Sequence, residues 1–387
     1  MKCLSCQSEK VENFFVLKNA PVQSLITIKT YEEAIAIPKR DITLAFCHNC
    51  GFIFNSTFDT SIDYYTQGYE DQQGFSPTWL KYQTGITNAF IEKYDVREKD
   101  IIEIGCGKGD YLQLICKLGN NRGIGIDPSY VAGRSEINPN VKFIKEFYKK
   151  EHGSLPVDVI VCKHTMEHIH DTFQFVKNIR EWNGKDKEIH VFIEVPSIVR
   201  ILQINAFWDI YSEHCSYFSP GSLTRLFRMH NFKILDLYIG YNDQYMYLEA
   251  KTNDDSESPV LPLEESVEEL KSYVDEFVVK IKEELGKWRE ILIKLKEQNK
   301  KVVIWGGGSK SVGFLTHFNE LDVIKHVVDL NPFMQGNYIP SIGMQYVGPA
   351  FLETYKPDTV IVMNGIYENE IRKMLLEMNL TPELICL

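Results

Sequence analysis

The sequence predicts an α/β chain with a Rossmann-like parallel-sheet core. A small N-terminal cysteine module precedes it, and a second Rossmann-like domain follows at the C-terminus. Three observations predict this. The apolar run Ile101-Ile102-Glu103-Ile104 enters a glycine turn and then a helix. A second run, Val302-Val303-Ile304-Trp305, does the same through Gly306-Gly307-Gly308. Two Cys-x-x-Cys pairs, Cys3/Cys6 and Cys47/Cys50, stand ahead of both. Strands alternating with helices imply a mostly parallel sheet covered on both faces. The expected divisions are 1–75, 76–252, 253–300 and 301–387.

A chain of 387 residues has room for two or three domains. Hydrophobic residues at 44% and charged residues at 25% fit a soluble globular protein. A net charge of −11 without a basic run argues against nucleic acid or an anionic membrane as partner. No apolar run reaches the roughly 18 residues of a membrane span. The start, Met1-Lys2-Cys3, turns polar at once and lacks a signal-peptide pattern, so a cytoplasmic protein is expected. The nine cysteines are then not read as a disulfide framework.

Taken in order, Cys3, Cys6, Cys47 and Cys50 have the spacing of two knuckles sharing one tetrahedral zinc ion. Four thiolates leave no open position, so the ion is expected to be structural. His48 is an alternative ligand, and unrelated buried cysteines are the plainer reading. Residues 56–80 are rich in Asp and Tyr (Asp59, Asp63, Tyr64, Tyr65, Tyr69), which suggests a lid or a substrate-facing segment. Tyrosines packed on the next domain would read the same way. A helix over 77–94 begins at Ser76-Pro77.

Core strands are expected at 101–104, 123–126, 141–144, 157–162 and 189–195. The turn Gly105-Cys106-Gly107-Lys108-Gly109 lets the backbone approach a ligand closely. Asp127, followed by Pro128, ends the second strand and is placed to accept ribose hydroxyls. Glu103 ahead of the turn would repel a pyrophosphate but suits a cationic sulfonium ligand and its amino acid tail. Ligands of such sheets sit at the carboxyl ends of the strands. That rule selects His164, Glu167-His168 and the aromatic loop 207–219, which carries Tyr211, Glu213 and His214. An imidazole suits proton transfer near neutral pH, so His214 is the candidate base. A histidine capping the next helix, or satisfied in the core, is the bland alternative. The runs 232–240 and 244–250 form a closing hairpin, and 252–262 is a linker. From Leu263 to Lys300 apolar residues recur at helical spacing, from Val267 and Leu270 to Leu292 and Leu295. In the last domain Lys310 replaces the acid, so Gly306, Gly308, Lys310 and Asn331 suit an anion such as a phosphate. A degenerate fold that only adds stability is the alternative.

Together these motifs resemble the three-part C-methyltransferases of nucleotide-linked deoxy-keto-sugars. Those combine a zinc module, a class I S-adenosylmethionine methyltransferase core and a C-terminal Rossmann-like domain. The resemblance implies S-adenosylmethionine bound by Glu103, Gly105, Gly107, Gly109, Asp127, Pro128 and His164, with structural zinc on the four cysteines. It implies that His214 removes a proton beside a ketone, that Glu213 orients His214, and that Tyr211, Tyr69 and His168 contact the sugar or its oxyanion. It places the nucleotide diphosphate toward the C-terminal domain, near Lys310. The stretch Tyr241-Asn242-Asp243-Gln244-Tyr245 departs from the small-residue turn expected there and would reshape the acceptor pocket. Rival readings are an O- or N-methyltransferase on another small metabolite and an inactive zinc-containing scaffold. The partner is a small molecule. Oligomeric state is left open, with a monomer favoured.

Overall fold

The computed structural model describes residues 1–62, 64–65, 68–135, 138–183, 187–252 and 258–387. Asp63 and residues 253–257 of the expected linker lie outside the described residues.

The core is a seven-stranded sheet. From one edge it runs Lys233–Gly240, Tyr245–Lys251, His190–Pro196, Val159–Lys163, Asp100–Ile104, Arg122–Ile126 and Val141–Ile144. The last five are parallel, and the hairpin joins antiparallel through Tyr245–Lys251. Side chains alternate between two buried layers. Ile102, Ile104, Ile160 and Cys162 enter one, while Ile101, Val159 and Val161 enter the other. The chain leaves Asp100–Ile104 toward one edge and returns on its other side at Val159–Lys163. That reversal opens a crevice at the carboxyl ends of these two strands.

The N-terminal module holds more than cysteine knuckles. Val11–Pro21, Lys39–Cys47 and Ile53–Asn55 form an antiparallel sheet. Its fourth strand is Ser216–Tyr217, pairing Ile53 with Tyr217. The loop 207–219, read from sequence as irregular throughout, therefore ends in a strand held by the N-terminal module. The knuckles also dock on the core. Leu4 O accepts from Phe173 N and Thr172 Oγ1, each at 3.0 Å.

The long helix spans Val267–Glu297, shorter at both ends than the expected 263–300. Ser266 caps it by accepting from Glu269 N. Leu270, Val274, Phe277, Ile281, Trp288, Leu292 and Leu295 are buried, as the helical spacing requires. They share one apolar cluster with Leu44 and Phe46 of the N-terminal sheet, Phe207 of the core loop and Phe314 of the last domain. That domain is a parallel sheet ordered Tyr346–Val347, Ile324–Val328, Val302–Trp305, Thr359–Val362, Glu383–Cys386. Among the described residues no helix is long and apolar enough to cross a membrane.

Candidate active site

The crevice at the strand reversal is a cleft of about 640 Å³, and all three parts of the chain line it. The core contributes the glycine turn at Gly105 and Gly107, the strand end at His164 to His168, and the loop at Tyr211 and His214. The N-terminal segment contributes Leu25 and Tyr69 through Ser76, and the last domain Gly306 through Lys310. The imidazole of His214 thus opens onto the same space as the glycine turn.

Two glycines of the turn are fixed by the fold itself. Gly105 has φ +73°, and a Cβ there would lie 2.1 Å from Thr165 Oγ1. Gly107 has φ +52°, and a Cβ there would meet only the Asp71 carboxylate, at 3.4 Å or more. Its open side is the face a ligand can approach. Asp127 shapes this turn: Oδ2 accepts from Gly107 N at 2.8 Å, and Oδ1 from Ser129 N and Oγ at 2.6 and 2.7 Å. Asp127, Pro128 and Gly109 do not reach the cleft wall, unlike Glu103, Gly105, Gly107 and His164. The last domain repeats the device, with Gly307 N donating to Asp329 Oδ2 at 2.5 Å.

A buried charge cluster forms the floor. Glu103 is 2% exposed, and its Oε2 has no hydrogen-bond partner. Burial pushes its pKa up to about 8, against the pull of Lys163. Lys163 pairs with Glu194 and donates to Gln83 Oε1 at 2.7 Å. His164, at φ +47°, lies 3.0 Å from Glu194 and 3.6 Å from Glu167. Burial opposes its charge, but those carboxylates hold its pKa up at about 9. Burial likewise opposes the Glu194 charge, yet Lys163 and His164 outweigh it and hold its pKa at about 2.

His214 is 5% exposed, and its Nε2 lies 2.9 Å from the Tyr211 hydroxyl. Burial lowers its pKa well below 6.5, helped by His168, His164 and Lys310, so it is neutral at pH 7. The rings of His168 and His214 meet edge to face at 4.9 Å. His168 Nδ1 lies 2.9 Å from Glu213 O. Glu167, His168 and His214 each bring one donor atom within 4.8 Å of the other two, close enough to share a small ligand.

Glu213 does not orient His214 as expected. Its carboxylate accepts from Ser24 N, from Ser24 Oγ at 2.8 Å and from Leu25 N at 3.2 Å. The two neighbours sit on a turn closed by His214 N donating to Tyr211 O at 3.2 Å, and their side chains take different partners. Lys310 is not a free cation either. It lies 2.9 Å from Asp209, which also holds Arg200 at 3.4 Å, and donates to Gln244 Oε1 at 3.1 Å. Asn331 donates to Glu70 Oε1 at 2.9 Å. The departing stretch 241–245 joins the core to the last domain. Tyr241 hydroxyl meets Tyr367 hydroxyl at 2.5 Å, and Gln244 and Asn364 exchange amide hydrogen bonds at 2.9 Å. Ser24 and Asp71 carried no role in the sequence reading. Asp71 fell in a segment flagged only by its composition, and no periodicity marks Ser24.

The Sγ atoms of Cys3 and Cys50 are 3.7 Å apart, and those of Cys6 and Cys47 3.6 Å. A disulfide requires about 2.05 Å, so the four are free thiols in one cluster. His48 turns away to Glu12, at 3.0 Å.

Residues 81–237 match the family model of a methyltransferase domain. Residues 81–237 of this chain thus carry a methyltransferase domain. Residues 251–380, beyond the methyltransferase domain, match the model of a C-methyltransferase C-terminal domain. The C-methyltransferase NovU of Streptomyces niveus is 27% identical over 168 residues, which are 41% of this chain and 39% of NovU. The chain therefore aligns with well under half the length of that relative. The methyltransferase domain is similar to the Burkholderia thailandensis 1,6-didemethyltoxoflavin-N1-methyltransferase at 13% identity and TM-score 0.34, covering 46% of this chain and 82% of that one. It is also similar to magnesium protoporphyrin IX methyltransferase of Synechocystis PCC 6803 at 10% identity and TM-score 0.34, covering 46% and 84%.

Proposed function

We propose that this methyltransferase methylates a carbon beside a ketone in a nucleotide-linked keto-deoxy-sugar, with His214 as the base. The carrying observation is that neutral His214, held by Tyr211, faces the cleft that the glycine turn opens onto. The C-terminal match to a C-methyltransferase domain and the likeness to the Streptomyces C-methyltransferase support transfer to carbon.

The cleft fits a cationic donor. Glu103 presents a buried, unpartnered oxygen, and Gly107 leaves an open face beside it. Glu103, Gly105, Gly107 and His164 would hold S-adenosylmethionine, which when bound supplies an electrophilic methyl group. A carbon bearing hydrogen is not a nucleophile, so His214 must first take its proton. The electron pair then delocalises onto the ketone oxygen. Burial raises the pKa of buried Tyr69 and half-buried Tyr211 well above 10, so both keep their hydroxyl protons for donation to that oxyanion. His168 presents its second ring nitrogen to the acceptor. The remaining contribution is alignment of carbon, methyl and sulfur.

The acceptor's diphosphate is assigned to the glycine turn of the last domain. Gly308 has open space where a Cβ would stand and no side chain caps the helix Ser309–Phe318 behind it. Arg200 and Lys310 share one carboxylate, leaving one net positive charge.

Structural zinc is assigned to Cys3, Cys6, Cys47 and Cys50. Zn–S bonds of about 2.3 Å in a tetrahedron separate sulfurs by about 3.8 Å, close to the 3.6 and 3.7 Å found.

A panel of nucleotide-linked keto-sugars with S-adenosylmethionine tests the proposal, with the new methyl located by carbon NMR. A carbon–carbon bond beside the ketone is expected. Methyl on oxygen or nitrogen would overturn it.

A further inference from the structure

We infer that Asp71 is a second donor-binding carboxylate, brought to the core's glycine turn by the segment from Tyr69 to Ser76. The inference rests on the donor reading above. Its starting point is geometric. The three atoms nearest to where a Cβ on Gly107 would stand are Asp71 Oδ2 at 3.4 Å, Oδ1 at 3.6 Å and Cγ at 3.9 Å. The carboxylate therefore lies against the one turn residue whose open face looks into the cleft, and Asp71 itself lines that cleft.

Its neighbours fix it there. Glu70 is held by Arg134 at 2.7 Å and by Asn331 at 2.9 Å. Gln72 donates to Asp110 at 2.9 and 3.1 Å, and Ser76 Oγ donates to Glu370 at 2.8 Å. The segment is tied to the core on one side and to the last domain on the other, so Asp71 cannot swing off the turn without breaking these bonds.

The Asp71 carboxylate itself has no side-chain hydrogen-bond or ion-pair partner among the described residues. Lys108, the cation acting on it, already donates to Tyr69 O at 2.8 Å and Ser129 O at 3.1 Å. Burial raises the Asp71 pKa to about 6, as expected of an anion without a counter-charge. Glu103, across the turn, has the same deficit, with Oε2 buried and unpartnered. The donor carries two cationic centres, the sulfonium and the α-ammonium. Two under-neutralised carboxylates flanking one glycine turn match that charge pattern. Asp71 lies outside 81–237, so the matched methyltransferase domain lacks this residue, and the N-terminal segment completes the donor site.

The test is titration calorimetry of S-adenosylmethionine and S-adenosylhomocysteine into the full-length protein and Asp71→Asn. A charge-assisted contact predicts a loss of donor affinity of about tenfold or more. Equal losses for both ligands would place Asp71 on the α-ammonium, and a loss confined to S-adenosylmethionine would place it on the sulfonium. Asp71→Glu should recover part of the affinity, and Asp71→Ser carries the same test should Asp71→Asn fail to fold. Affinities within twofold of wild type for both ligands would overturn the inference. A wild-type protein that binds neither ligand would instead overturn the donor reading itself.

Discussion

The carboxylate of Glu213 closes on Ser24, accepting from its backbone N and, at 2.8 Å, from its Oγ. Ser24 Oγ also lies 2.9 Å from Ser309 Oγ, at the start of the helix after the last domain's glycine turn. The residue beside the candidate base is thus a buried junction of all three parts of the chain. Burial raises its pKa, and the Ser24 donors oppose that rise. Glu213 ties the loop bearing His214 to the N-terminal segment.

Glu213→Ala should leave buried Ser24 and Leu25 donors without an acceptor and lower stability by about 1–3 kcal/mol. Turnover should fall with it, but the pH profile of the remaining activity should keep its shape. Denaturant unfolding and a kcat/KM profile check this. A displaced acid limb would mean that Glu213 titrates in the reaction.

His214→Asn should retain donor binding and lose at least about 10²-fold in turnover. Because burial lowers the His214 pKa, the neutral base persists below pH 6.5. With the donor saturating, the acid limb of wild-type kcat/KM for the acceptor should therefore lie below the ordinary imidazole value. A limb at or above pH 6.5 would argue against His214 as the titrating group.

Glu103 makes donor affinity depend on pH. With a pKa of about 8 it is mostly protonated at neutral pH without the donor, and a bound cation favours its ionised form. Binding should release a proton and weaken as pH falls below about 8, and Glu103→Gln should bind less tightly with that dependence reduced. The same shift affects the ligand-free protein. A carboxyl whose folded pKa exceeds its unfolded value favours folding when protonated, and its contribution declines as pH rises from about 4.5 to about 8. Calorimetry in buffers of different ionisation enthalpy measures the released proton.

Cys47→Ser should lower bound zinc and loosen the N-terminal sheet that carries Ser216–Tyr217. Metal analysis with thermal unfolding checks both, and full zinc occupancy in the variant would refute the assignment.

Much of this site was legible in the sequence because its signals are local. The glycine turn follows its strand directly, the cysteine pairs have fixed spacing, and the long helix repeats its apolar residues at helical period. His214, Tyr211, His168 and Tyr69 all line the cleft. What escaped depends on contacts between distant parts of the chain. Glu213 reaching Ser24, Lys310 sharing Asp209 with Arg200, and Asp71 resting on Gly107 leave no periodic trace. The bulky stretch 241–245 was read as an acceptor wall. Its hydrogen bonds to Tyr367 and Asn364 show that it also joins two domains.

Hydrogen exchange at the acceptor tests the central claim most directly. A keto-sugar accepted by the enzyme is held in heavy water with S-adenosylhomocysteine, so that proton removal proceeds without methyl transfer. Wild-type protein should introduce deuterium at the carbon beside the ketone, and His214→Asn should abolish this. Exchange at the wild-type rate in His214→Asn would contradict the account.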